Sequence, residues 1–206
     1  GAGYFSEKFL KRSAEIYEKK RISGKSHEYA WYCAKHAKED EAKVTEKAEI
    51  YQKCILEGRN DYYSDRYAYL IVDEKLDEKT AMEESRIYSE TMVRIENTDE
   101  GSYYAEHYAY LIAEREYSED KADRSARKYE QILLQQDFSE AFAECHVYLT
   151  EELKFRSRDA SKVSAFYEKI RKRWPTRSCA MYLIELIYKV GLSEQMARTY
   201  TEIYYK

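Results

Sequence analysis

The chain has 206 residues, with 35 lysines and arginines against 39 aspartates and glutamates, and its net charge of −4 gives no global support to polyanion binding. Hydrophobic residues make up 44%, enough for a core, but no run of 18 apolar residues and no basic–apolar–small leader pattern occurs, which argues against a membrane-spanning or secretory segment. One proline, six glycines and 36% charged residues describe a mostly helical protein with amphipathic surfaces.

Taken in order, Ser6 is expected to cap a helix to about Lys20, and Ile22-Ser23-Gly24 ends it. Ser26 caps the next, whose apolar face holds Tyr29, Trp31, Tyr32 and Ala34. The charged break Glu39-Asp40-Glu41 precedes a helix from Ala42 to Leu56, and Gly58 stops it. Ser64 is expected to start a hairpin with helices over Tyr67–Leu76 and Glu78–Ile95. Asn97 to Ser102 reads as the clearest loop. The third hairpin runs from Tyr103 to Tyr117 and returns from Asp120 to Gln135. The fourth covers Ser139 to Phe155, turns at Arg156 to Asp159 and comes back to Arg173, with Pro175 as a firm stop. The fifth is Ser178 to Val190, with Gly191 and Ser193 punctuating the turn into a last helix from Glu194. This gives eleven helices and no strand, because apolar positions recur at three and four residues rather than two.

Two interleaved columns organise these helices. A small residue three places before a tyrosine recurs six times, at Ala14/Tyr17, Ala48/Tyr51, Ser85/Tyr88, Ala126/Tyr129, Ser164/Tyr167 and Ala197/Tyr200. The second column is Trp31, Tyr69, Tyr110, Tyr148 and Tyr182, and each lies 20, 19, 19, 19 or 18 residues before the next tyrosine of the first. Such constancy is the mark of stacked helical hairpins. The reverse step, from first column to second, is longest in the middle of the chain, which predicts longer second helices in the middle hairpins.

With a 34-residue first period, these columns resemble tetratricopeptide repeats, or their half-a-TPR relatives, over almost the whole chain. The resemblance implies an all-α fold, a right-handed α-α superhelix of five hairpins in one domain, with repeats near 26–60, 64–98, 102–137, 139–175 and 177–206 after an unpaired helix over 6–22. Pro175 sits at the family's proline position. The sequence departs from the pattern four residues after each second-column aromatic, where Lys35, Asp73, Glu114, Glu152 and Leu186 replace the usual small residue. The lysine–asparagine clamp by which co-chaperone members hold a peptide carboxylate is also absent.

The family geometry implies that first helices line a concave groove. A ladder of Tyr29, Tyr67, Tyr108 and His146, flanked by His36, Glu74, Arg115 and Arg156, is then the expected binding surface for a peptide or partner helix. The same tyrosines also suit packing between neighbouring hairpins. Lys169, Arg171, Lys172, Arg173 and Arg177 form a basic cluster that reads either as a phosphate-binding patch of a nucleic-acid-associated protein or as a solvated helix face. An acidic stretch over residues 73–120 and a basic one over 150–178 favour head-to-tail association of copies.

Cys33-x-x-His36 has no second ligand pair and Cys145-His146 diverge by about 100° on a helix, so no metal or cofactor site is expected. No catalytic motif is found either. The four cysteines lack disulfide-framework spacing and lie in apolar helical stretches, which favours reduced thiols and a cytoplasmic location. Gly1-Ala2-Gly3 reads as a cloning remnant, and Tyr200, Ile203 and Tyr204 leave the last helix without a polar outer face. The chain is therefore expected to be part of something longer, such as the sensor of a larger enzyme, or to pair with another copy.

Overall fold

A computed structural model describes residues 7–96, 101–136, 138–172 and 176–204. The described residues form eleven helices and no strand: α1 (Glu7–Ile22), α2 (His27–Lys35), α3 (Glu41–Leu56), α4 (Asp61–Val72), α5 (Glu78–Ile95), α6 (Ser102–Ala113), α7 (Glu119–Gln136), α8 (Glu140–Glu151), α9 (Ser157–Arg171), α10 (Arg177–Tyr188) and α11 (Glu194–Tyr204). None is long and apolar enough to cross a membrane. The expected cap Ser6, most of the Asn97–Ser102 loop, Arg173 and Pro175 lie outside the described residues.

Most helix starts follow from local chemistry. Ser26 accepts a hydrogen bond from the Tyr29 amide and caps α2, and Asp40 accepts from the Ala42 and Lys43 amides to cap α3. The start of α4 differs from expectation. Its cap is Asn60, which accepts from the Tyr63 amide, whereas Ser64 lies inside the helix and donates its hydroxyl to the Asn60 carbonyl. Gly101 begins α6 with no capping side chain of its own. Glu130 of α7 supplies the acceptor instead, at 2.8 Å from the Gly101 amide and 3.3 Å from that of Tyr104.

The first helices of the later hairpins stop earlier than their apolar period suggests. Each is closed in the same way, by a left-handed residue followed by an apolar one whose amide reaches back six residues. Lys75, Glu116 and Lys154 have φ of 58°, 54° and 57°, and Gly191 has 86°. After them the amides of Leu76, Tyr117, Phe155 and Leu192 donate to the carbonyls of Leu70, Leu111, Leu149 and Leu186. The second helices of the middle hairpins are the longest, with 18 residues in α5 and α7 against 16 in α3 and 15 in α9.

The helix contacts fall into two compact units, residues 1–90 and 91–206, with the division inside α5. In the first unit α2 packs on α1 and α3, and α3 on α4. Its core gathers Tyr29, Tyr32, Cys33, Val44, Ala48, Tyr51 and Ala68. In the second, each helix from α6 to α11 packs on the next. Its largest core joins α8 to α11 through residues such as Leu149, Tyr167, Leu183 and Ile184, each contributing about 1.5–3 kcal/mol by leaving water.

The small residues of the first column are packed inside. Ala48, Ser85, Ala126, Ser164 and Ala197 are fully buried, where a small side chain lets helices approach closely. The hydroxyls of Ser85 and Ser164 are satisfied by the carbonyls of Ala81 and Ala160 in their own helices. In three cases the residue three before the second-column aromatic lies near the first-column tyrosine that follows. The Arg66 guanidinium lies 5.6 Å from the Tyr88 ring, the His107 ring stacks 4.1 Å from Tyr129, and Cys145 shares a core with Tyr167.

Candidate functional site

The ladder proves to be a repeated intrahelical stack. Tyr63/Tyr67 in α4, Tyr104/Tyr108 in α6 and Phe142/His146 in α8 are the same i, i+4 pair at the same register, each with centroids 5.8 Å apart and rings within 20° of parallel. At Tyr29 of α2 the partner four residues earlier is Lys25, just before the helix, whose ammonium lies 4.5 Å over the ring. Three of the four ladder rings, Tyr29, Tyr108 and His146, are buried, and Tyr67 is half-buried.

The flanking residues are likewise engaged. His36 sits between Glu39, 2.6 Å from its Nδ1, and Asp65, 3.5 Å from its Nε2, and stacks on Tyr32 at 4.3 Å. Burial pulls its pKa down, but hydrogen bonds to Asp65 and Glu39 outweigh this and raise it. Asp65 is held well below the usual carboxylate range against its burial by His36 and Lys35. Lys47, almost wholly buried, pairs with Glu39 and with Asp73 at 3.0 Å. Glu74 is buried and accepts from the Tyr69 hydroxyl at 2.7 Å. Arg115 pairs with Glu185 of α10 and lies over the Tyr148 ring. Arg156 is the most exposed of them, its side chain 89% accessible, and pairs with Asp159 at 3.2 Å.

The basic cluster separates. Lys169 and Lys172 are exposed, whereas Arg177 is buried, 4.1 Å over the Tyr110 ring and 3.9 and 3.8 Å from Glu106 and Glu144. These contacts tie α6, α8 and α10 together, and Ser178 adds another by donating to Glu114 at 3.1 Å. The guanidinium is thus committed to carboxylates and an aromatic face rather than to phosphate. Among the described residues no group of three or more His, Cys, Asp or Glu is placed to hold a metal ion. All four cysteines are buried with free thiols, and burial pushes each pKa up, away from the reactive thiolate.

Two grooves are open in the first unit. The larger, about 680 Å³, is bounded by Arg59 and Tyr63 on one side and by the first turns of α5 on the other. Asp77 caps α5 there, accepting from the Thr80 amide at 3.1 Å. The groove pairs apolar surface, Met82 and the Tyr63 ring, with cations from Arg59, Lys79 and Arg86. Arg59 lies 4.9 Å over Tyr63, and Arg86 is held by Glu83 and Glu90. Tyr67 buttresses Tyr63 from behind through its stack. Met82 was legible in principle: Ala81 and Ser85 mark the buried face of α5, and Met82 is one residue off it. Arg59 and Arg86 carry no comparable signal.

The second groove, about 330 Å³, lies among α1, α2 and α3, over Ile16, Cys33, Ala37 and Val44. Arg12, Lys19 and Lys20 of α1 line it, as do Glu39 and Glu41 at the start of α3. Compared with known proteins, the chain matches no family model, no curated protein and no solved structure.

Proposed function

We propose that the chain is a cytoplasmic, non-enzymatic interaction scaffold, a right-handed α-α superhelix of the tetratricopeptide type that holds a peptide or helix of a partner protein. The observation that carries this reading is the 680 Å³ groove beside α4 and α5, where Met82 and Tyr63 offer apolar contact and Arg59, Lys79 and Arg86 alternate with Asp77, Glu78 and Glu83. Contact area comes from rigid or weakly ordered apolar side chains, and selectivity from charges of both signs around them. Recurrence of the same ring stack, the same helix closure and the same buried small residue supports the repeat architecture. Tyr29, Tyr108 and His146 are buried, and Tyr63 is buried as well, so in this reading the exposed Met82 supplies most of the apolar contact, with only the edge of Tyr63 and, behind it, Tyr67 in support.

Selection of a displayed peptide library against the purified chain tests the proposal. Enriched peptides are expected to lose binding at least about tenfold to the Met82→Glu and Arg59→Ala variants, whose helical circular dichroism stays unchanged. No enrichment over an unrelated helical protein, or equal binding to both variants, would refute it.

A further inference from the structure

His36 differs from the other three histidines in what its ring nitrogens face. His27 meets the Tyr17 hydroxyl, His107 lies on Tyr129, and Nε2 of His146 meets the Ser157 hydroxyl. On His36 a carboxylate stands at each nitrogen, Glu39 2.6 Å from Nδ1 and Asp65 3.5 Å from Nε2. Nε2 is buried, and Asp65 is its one polar neighbour among the described residues. A neutral imidazole has one N–H and one lone pair, so it serves one carboxylate and turns its lone pair on the other. Only the imidazolium, with two donors, serves both. Two further features favour that charge. His36 is the C-cap of α2, at the negative end of the helix, and its ring stacks on Tyr32 at 4.3 Å.

The charged groups around the ring come from every neighbouring element. Lys35 of α2 pairs with Asp65 of α4 at 2.7 Å. Lys47 of α3 pairs with Glu39 and with Asp73, which Lys43 also reaches at 2.8 Å. From α1, Arg12, Glu15, Lys19 and Lys20 line the groove that His36 and Ala37 border, and Lys20 turns to Glu41 at 3.6 Å. Each carboxylate at the ring therefore keeps a lysine whatever the state of the imidazole. Glu39 stays on the buried Lys47, whereas Asp65 is left with a partly exposed lysine pair that contributes little. The proton decides the link between His36 and Asp65.

We propose that His36 is a proton-operated clasp. Protonated, it ties the turn after α2 to Asp65 of α4. On losing the Nε2 proton to solvent it keeps Glu39, releases Asp65 and loosens the wall of the groove that His36 and Ala37 form. The raised pKa of His36 sets the sense: the clasp is closed in mild acid and opens as pH climbs past the ordinary histidine value of about 6.5. This device uses neither Met82 nor Arg59, so it stands or falls separately from peptide binding.

An NMR titration of the full chain is the test, following the His36 ring nitrogens, the Asp65 carboxyl carbon and the exchange protection of two turn amides. Those amides are His36 and Glu39, which donate to the Tyr32 and His36 carbonyls. Both ring nitrogens are expected to carry protons below the midpoint and Nδ1 alone above it, with the Asp65 signal shifting at the same pH. Protection of the two amides should fall at least about threefold across that midpoint. Asp65→Asn should move the midpoint down, and His36→Gln should abolish the pH-dependent loss, both with unchanged helical circular dichroism. Should Asp65→Asn fail to fold, the wild-type and His36→Gln readings decide. A wild-type midpoint at or below the ordinary value, a midpoint indifferent to Asp65→Asn, protection that holds steady across the midpoint, or a loss that persists in His36→Gln would each overturn the inference.

Discussion

His107 lies flat on Tyr129, their centroids 4.1 Å apart and their planes within 9° of parallel. Burial, with the Arg177 charge nearby, holds the imidazole pKa well below its ordinary value. The unfolded chain takes up a proton below about pH 6.5 while the folded one does not, so stability is lost as pH falls. The expected slope is up to about 1.4 kcal/mol per pH unit between pH 6.5 and 5. His107→Phe, which keeps the stack, should flatten urea midpoints across that range. An unchanged slope would place the effect elsewhere.

His36 titrates with the opposite sign. Its folded pKa is raised, so its contribution is present below the unfolded value and disappears as pH rises through the folded one. His36→Gln should therefore cost more stability at pH 6 than at pH 8.5, read from the same denaturation midpoints.

Glu130 acts as the cap that Gly101 does not provide. Its Oε1 would lie 2.9 Å from a Cβ added at Gly101, so Gly101→Ala pushes the carboxylate off the helix start. Gly101→Ala and Glu130→Ala should each cost about 1–2 kcal/mol. In the Glu130→Ala background the glycine substitution should be close to neutral, because the cap is already gone; additive costs in a double-mutant cycle would contradict this.

Arg66 donates to Glu84 through Nε at 3.1 Å and a terminal nitrogen at 2.6 Å, and Glu84 is fully buried. Arg66→Met strands that carboxylate and should cost about 3–5 kcal/mol, whereas Arg66→Met with Glu84→Leu should recover most of it. Thermal unfolding of the single and double variants distinguishes these outcomes.

The left-handed closures of α4, α6 and α8 carry ordinary side chains. Lys154→Gly, at an exposed position with φ of 57°, should raise stability by about 0.5–1 kcal/mol, while Gly58→Ala at φ of 84° should lower it by a similar amount.

These closures also explain which boundaries were legible. The expected ends at Leu76, Tyr117 and Phe155 overran because an apolar residue continues the period beyond the true stop, folding back on its own helix. Lysine and glutamate gave no sign of a left-handed turn there, whereas Gly58 and Gly191 did mark their turns. Ser64 suggested a helix start because a hydroxyl can cap, but it also bonds back inside a helix. Both limits of α5 were readable, since its apolar period and flanking polar residues agree. For the site, sequence spacing found the ladder register and left open whether its side chains bind or pack; the neighbours four residues earlier, Lys25, Tyr63, Tyr104 and Phe142, show what they stack on. Arg177 looked like one of a basic run, and only its Glu106 and Glu144 neighbours, distant in sequence, reveal its role.

Because α1 to α4 in the first unit and α6 to α11 in the second each lean on the helix before or after, the loops that must close within a unit during folding are short. Native structure can then nucleate locally inside a unit and spread from helix to neighbouring helix. Amide exchange should accordingly be slowest in the well-packed helices of each unit, such as α3 and α9, and quicken toward helices with one neighbour, such as α1 and α11.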